Sequence, residues 1–303
     1  MGTLFRVVAH TADEFRGYSA IRRAFARAHD LDAKLSDYKP DSELIRLQRT
    51  GFGQPFRASD DLYCVVKAAQ QIAAESEGLF DITIGPLSRL WRESRQAGRL
   101  PHPAALREAH AKVGYGRIRL HSATQAIELL TAGMQLDLGG IAKGYAADAM
   151  LAILCADGIE SALVVAGGDV VVGAPPPGER AWNVGVAPDE AHATASLTLR
   201  LAHQAVSTSG ASSQHVTIDG VRYSHIVDPR TGLGLTHSTA VTVVAPTATQ
   251  TDALATAASV LGARDGLRFL SRQPRVQARF FSPEGNDQST PGFAQLQGGT
   301  RSI

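Results

Sequence analysis

The chain has only two cysteines, Cys64 and Cys155, among 303 residues. Each lies inside an apolar helical pattern ("LYCVVKAA", "LAILCADG"), which argues against a disulfide framework or a thiolate metal site and predicts buried free thiols. An excess of one charge is also missing. Lys and Arg number 30 against 29 Asp and Glu, a net charge of +1, with no basic run. No global field gathers nucleic acid on such a chain. No apolar run approaches the roughly 18 residues of a membrane-spanning helix. "MGTLFRVVAH" has no apolar core or cleavage site of a signal peptide, and Arg6 stands where N-myristoylation wants Ser or Thr. What remains is 44% hydrophobic and 19% charged, a globular balance. The length suits one large domain or two closely packed halves.

Hydrophobic spacing supplies the outline. A strand is expected over residues 3–10 and helices over 13–30 and 60–76. Pro40 interrupts a loop in which Asp41 or Ser42 is placed to cap a short helix. "GLFDITIGPLSRLW" reads as extended and broken at Gly85-Pro86. A short helix is expected over 103–112, short strands from 116 to 138, and a helix ending near Gly158. Strands dominate from 161 to 245. "GAPPPGER" (173–180) reads as a hairpin tip. Helices are expected at about 249–262 and 264–272, then a strand at "VQARFF". The tail, 283–303, is polar and rich in Gly and Pro and is expected to be loose. Strands cluster between helical regions, with no repeat, which favours α+β over a doubly wound sheet.

Several segments carry residue types suited to chemistry. "LDLGGIAKGYAADAM" (136–150) fails the P-loop and dinucleotide-binding patterns, since Lys143 precedes Gly144 and Gly139 and Gly140 are adjacent. It reads either as an anion site at a helix N-terminus, with Lys143 as a point charge, or as a glycine corner between strand and helix. Asp252 and Thr256 in "TDALATA" lie four apart on one helix face, either a weak hard-cation pair or a cap with a helix-favouring acid. His225, at a strand end before the turn Asp228–Gly232, is either a general base or phosphate ligand, or a structural histidine. Gly167-Gly168-Asp169 reads as a bulge or tight approach with Asp169 capping a turn. "AVSTSGASSQ" reads as an anion loop or a solvated turn.

Taken together and in order, these blocks resemble the ApbE family, the FAD:protein FMN transferases. The likeness runs from "MGT" through "LSDYKPDSEL", "FDITIGPLSRLW", "LDLGGIAKGYAAD", "ALVVAGGDVVVG", "AVSTSG" and "YSHIVDPRTG" to "TDALATA". It covers residues 1 to about 282 and implies one ApbE-like domain there, α+β, with mainly antiparallel sheets flanked by helices in two closely packed halves. The activity it implies is Mg²⁺-dependent cleavage of the FAD pyrophosphate. FMN passes to a Thr or Ser hydroxyl of an acceptor protein and AMP is released. The acceptors implied carry a flavinylation motif and are subunits of electron-transfer complexes.

By this resemblance, Met1, Tyr38, Phe80, Asp81, Ile82, Thr83, Asp137, Lys143 and Ile226 match FAD-contacting positions. The Gly140 carbonyl, Asp252, the Ala255 carbonyl and Thr256 match metal ligands, and His225 is the candidate base. The alternatives are a pyrophosphatase that splits FAD to FMN and AMP, and a carrier that binds FAD without chemistry. As it stands the chain implies a cytoplasmic protein; with an export leader, a periplasmic or inner-membrane-anchored one.

Overall fold

The computed structural model describes residues 2–187, 197–210 and 215–298. The fold is mixed helix and antiparallel sheet, organised as two compact units, neither continuous in sequence. One unit combines Met1–Asp30, Ile141–Ser213 and Ser238–Ile303; the other combines Leu31–Gly140 and Gln214–His237.

The first unit is built on a seven-stranded sheet. Its strands are β1 (Phe5–Ala9), β5 (Ala162–Ala166), β6 (Asp169–Val172), β9 (Gln204–Gly210), β12 (Ala240–Ala245), β13 (Gln277–Phe281) and β14 (Gln288–Ser289), adjacent in that order. Every pairing is antiparallel. Gly167 at the β5–β6 turn has φ +64°, a left-handed conformation that glycine tolerates. All six side chains of β12 are buried, as its apolar run requires of a central strand covered on both faces. Two helices of this unit, α6 (Ala142–Ala156) and α7 (Ala248–Leu270), contribute Ala147, Met150, Leu154 and Ala248 to a core with Val164, Ala166, Val171 and Ala205. The N-terminal part of α1 (Glu14–Leu35) adds Ala20 and Ala24. A two-stranded ribbon, β7 (Trp182–Val186) with β8 (Leu197–Leu201), closes a second cluster around Phe293 and Val244.

The second unit holds α2 (Glu43–Thr50), α3 (Asp60–Glu75), α4 (Gly85–Ala97) and α5 (Pro103–His110). A small sheet of β2 (Phe56–Arg57), β4 (Ala126–Leu129) and β3 (Ile118–His121) joins them, with the hairpin of β10 (His215–Ile218) and β11 (Val221–Ser224). Ser42 caps α2, its Oγ accepting from the Ile45 N–H at 3.1 Å. Trp91, Leu87, Ala109, Ile218 and Val227 form one apolar cluster of this unit.

Several sequence expectations are corrected. "FDITIGPLSRLW" is a turn followed by α4. Asp81 Oδ1 accepts from the Thr83 N–H, folding the chain locally, and Gly85-Pro86 opens the helix, because proline at a first helical turn forfeits no hydrogen bond. "GAPPPGER" joins β6 to β7, which belong to different sheets, so it is no hairpin tip. Cys64 and Cys155 are unpaired but exposed; each faces away from its helix's apolar side. "MQLDL" is not a strand, making only a bridge from Gln135 to Ile84. The tail from 283 is built in through residue 298: β14 pairs with β13 and Phe293 is fully buried. The two helices expected at about 249–262 and 264–272, by contrast, are present as the two segments of α7, which meet at the non-helical Gly262 (φ +75°).

The approach of α6 to α7 places the chemistry of the first unit. Asp148 on α6 accepts from the Ala248 and Thr249 N–H groups at 2.8 Å each and from Thr249 Oγ1 at 2.5 Å. These satisfy first-turn donors that a helix cannot pair internally, and the carboxylate also meets the positive dipole end. Gly144 lets the backbones touch. A Cβ there would collide with the Ala248 carbonyl oxygen and lie within 2.8 Å of the Thr249 nitrogen. Gly144→Ala should therefore destabilise the protein by about 2 kcal/mol or more, despite alanine's higher helix propensity. Chemical denaturation checks this; an unchanged midpoint would contradict so close a contact.

Candidate active site

In the first unit, the α6–α7 contact brings together residues far apart in sequence. The Lys143 ammonium lies 2.9 Å from Asp252 Oδ1 and 3.0 Å from Oδ2, so it spans both carboxylate oxygens. The Gly144 N–H donates to Asp252 Oδ2 at 3.2 Å. A third member, Asp169, starts β6 just after the Gly167-Gly168 turn; its Oδ2 lies 3.5 Å from Lys143 Nζ. Ser207 on β9 supports both sides, hydrogen-bonded to Asp169 and, at 2.7 Å, to Thr251 beside Asp252. Asp169 and Asp252 are 3% and 5% exposed, whereas the Lys143 side chain keeps 29% of its surface open.

The electrostatics of this cluster are unbalanced. Two buried carboxylates face one ammonium. Burial alone would lower the Lys143 pKa, but the charges of Asp252 and Asp169 outweigh it and hold the amine protonated well above its ordinary range. Burial, then the charge of Asp252, pushes the Asp169 carboxyl up to about 7, against the pull of Lys143 and Ser207. Unfolded Asp169 ionises near 3.8, so its contribution is fully present below that pH and is lost as pH rises toward 7. Asp169→Asn should gain stability relative to the native protein across that window, by up to roughly 1 kcal/mol per pH unit. Denaturation midpoints of both proteins at pH 4 and pH 7 measure it; a constant difference would contradict the assignment.

These residues fit a divalent cation by charge and by donor type. The excess negative charge is buried, and Asp169 Oδ2 has no hydrogen-bond partner beyond the long approach to Lys143. Thr256 lies one turn after Asp252; its hydroxyl donates to the Asp252 carbonyl at 3.0 Å, leaving oxygen lone pairs for a metal. Carboxylate, hydroxyl and carbonyl oxygens suit Mg²⁺. Ala255 offers no side-chain donor, and its carbonyl lies within α7. No cluster of three His, Cys, Asp or Glu side chains poised for a metal occurs among the described residues.

In the second unit, Arg92 on α4 organises Asp37, Tyr38 and Asp137. Its Nη2 lies 3.0 Å from Asp37 and 3.6 Å from Asp137, and its guanidinium stands 5.1 Å from the Tyr38 ring centroid. The Tyr38 ring is thereby held by a cation–π contact while 73% exposed. Asp137 receives the Gly139 N–H at 2.9 Å, shaping the turn that leads to Gly140, and donates its own N–H to the Ile82 carbonyl at 2.7 Å.

Phe80, Asp81, Ile82 and Thr83 are all buried. Asp81 binds the N–H and hydroxyl of Thr83, which in turn accepts from the Gly114 N–H at 2.7 Å. These side chains brace the turn from within.

His225 is exposed on a bend after β11 that is fixed on both sides. The Ser224 carbonyl accepts from Trp91 Nε1 at 2.9 Å, and the Ser224 N–H reaches the Leu235 carbonyl at 2.8 Å. The Ile226 N–H donates to Ser224 Oγ at 3.1 Å, and its carbonyl accepts from Leu235 at 2.9 Å. Glycine at 234 is required here, since a Cβ would collide with the Ser224 carbonyl and press on the Trp91 ring. Met1 lies outside the described residues.

Two residues of these clusters escaped the sequence reading. Arg92 directly follows the block that ends at Trp91, and its role needs a helix where an extended stretch was expected. Asp169 was visible as a turn residue, but nothing in the sequence paired it with Lys143.

The model of the ApbE family matches residues 1–280. The chain belongs to the ApbE family. Its curated relatives include the FAD:protein FMN transferase of Treponema pallidum, 32% identical over 97% of this chain and 85% of the relative. That of Salmonella typhimurium is 30% identical over 90% and 80%. Among solved structures, the apo form of the flavinyl transferase ApbE of Pseudomonas stutzeri has a TM-score of 0.84 at 30% identity, covering 98% of this chain and 94% of that one. The ApbE protein of Thermotoga maritima reaches 0.86 at 28% identity, covering 98% and 96%. The α+β architecture is thus that of the ApbE proteins. Among the described residues, no helix is long and apolar enough to cross a membrane.

Proposed function

We propose that this protein is an FAD:protein FMN transferase. A hydroxyl of an acceptor Thr or Ser attacks the FMN phosphorus of FAD. A phosphoester bond forms to the acceptor, the pyrophosphate P–O bond breaks, AMP leaves with the bridging oxygen, and the hydroxyl proton passes to a base. What carries this reading is the likeness of nearly the whole chain, at 30% identity or more, to curated proteins bearing that name.

The residues divide the work. Phosphoryl transfer asks for positioning and charge neutralisation more than for covalent help. Asp252, with the Thr256 hydroxyl and the Ala255 carbonyl, would hold Mg²⁺; when bound, the ion supplies charge neutralisation at the pyrophosphate. Lys143 meets the phosphates as a fixed positive charge. Tyr38, held by Arg92, offers an aromatic face to the flavin or adenine, and Asp137 fixes the turn before Gly140. His225, exposed on its braced bend, takes the acceptor proton. The acceptor is an electron-transfer subunit carrying a flavinylation motif.

AMP release tests this directly. It should require FAD, a divalent cation and an acceptor together. Equal AMP release without acceptor would make the enzyme a pyrophosphatase; bound FAD with no AMP under any condition would make it a carrier.

A further inference from the structure

The same ammonium that is assigned to the phosphates sits on the carboxylate that is assigned to the metal. Lys143 Nζ engages both oxygens of Asp252 at 2.9 and 3.0 Å. A divalent cation that takes either oxygen meets this positive charge at contact distance, with burial limiting the screening by water. The lysine and the cation therefore compete for one group.

The cluster also contains the lysine's alternative seat. Asp169 Oδ2, buried and lacking a hydrogen-bond partner, is only 3.5 Å from the ammonium. A small swing of a flexible four-carbon side chain completes that pair and leaves Asp252 with the Gly144 N–H but without the ammonium. The partly open Lys143 side chain gives the ammonium an outward path as well.

We propose that Lys143 is an internal stand-in for the divalent cation, so that metal loading and anionic-nucleotide binding are coupled through its release from Asp252. This rests on the assignment of Asp252 as a metal ligand in the proposed function. With no nucleotide present, the ammonium blocks Asp252 and cation affinity is weak. When the FAD pyrophosphate draws Lys143 away, or Asp169 receives it, the carboxylate is freed. By linkage, the cation then strengthens FAD binding by the same factor. The device keeps buried Asp252 paired while the site is empty, which avoids an uncompensated buried charge.

Mn²⁺ binding, followed by electron paramagnetic resonance on the intact protein without nucleotide, tests the idea apart from turnover. Lys143→Met should bind Mn²⁺ roughly ten- to hundredfold more tightly than the native protein, the range usual for coupled sites. Because that variant leaves two buried carboxylates unpaired, the double variant Lys143→Met, Asp169→Asn is measured beside it. That variant loses one ammonium and one carboxyl group together, so tighter binding there reflects removal of the competitor and not an extra unpaired carboxylate. FAD should tighten Mn²⁺ binding to the native protein far more than to either variant. Double-variant affinity equal to or below native overturns the proposal while leaving the transferase reading intact. Absence of Mn²⁺ binding even with FAD removes the metal assignment itself, and the proposal with it.

Discussion

Asp252→Ala should lower FMN transfer by roughly a thousandfold or more, while the protein remains folded. Two considerations make both halves of this expectation specific. The first is charge. The native cluster holds two buried carboxylates against one ammonium. Removing one leaves Lys143 with Asp169, a neutral pair already only 3.5 Å apart. Deleting one partner of a balanced buried pair usually costs several kcal/mol; here the deletion balances the set. The neighbouring contacts of Asp148 with the start of α7 are untouched. The second is chemistry. Charge stabilisation of a developing phosphoryl transition state contributes several kcal/mol, and each 1.4 kcal/mol is about a factor of ten in rate. Acceptor flavinylation and thermal unfolding of the same preparation check the two halves. Retained transfer would remove Asp252 from the metal site. Loss of fold would show that its structural role outweighs the argument from charge.

His225→Ala should slow transfer by roughly 10²- to 10⁴-fold, the usual worth of a general base, with FAD affinity nearly unchanged. The bend is held by several groups other than the imidazole. Its shape depends on Trp91, Ser224 and Leu235 and on the glycine at 234, so alanine at 225 leaves the backbone in place. An exposed position suits a group that must meet a macromolecular acceptor. Single-turnover transfer and FAD titration separate the roles. If rate and affinity fall together, His225 binds the cofactor instead of moving the proton.

Much of the architecture was legible because its signals are local. Ser42 as a cap, the helix over residues 60–76 and the kink that splits the last long helix follow from capping chemistry, apolar spacing and glycine. "GLFDITIGPLSRLW" misled because β-branched residues beside Gly-Pro look extended. The outcome is decided by Asp81 folding back on Thr83, a side-chain interaction that β-propensity does not encode. The tail misled by composition: one buried aromatic, Phe293, anchors a polar segment.

The site was legible in parts. Lys143 and Asp252 were both identified, but assigned to different ligands, since 109 residues separate them and only the packing of α6 on α7 joins them. Phe80, Asp81, Ile82 and Thr83 match FAD-pocket positions by resemblance, and what the fold adds is that their side chains are buried and brace a turn. Arg92 and Asp169 were invisible as site residues because each acts through a neighbour from another element.

The measurement that bears most directly on the central claim is the mass of the acceptor. The protein is incubated with FAD, Mg²⁺ and a peptide or subunit carrying a flavinylation motif, and the products are read by mass spectrometry. Transferase activity predicts an acceptor heavier by one FMN in phosphoester linkage, less water, with one AMP released per modified hydroxyl. An acceptor of unchanged mass, accompanied by free FMN and AMP, would contradict it.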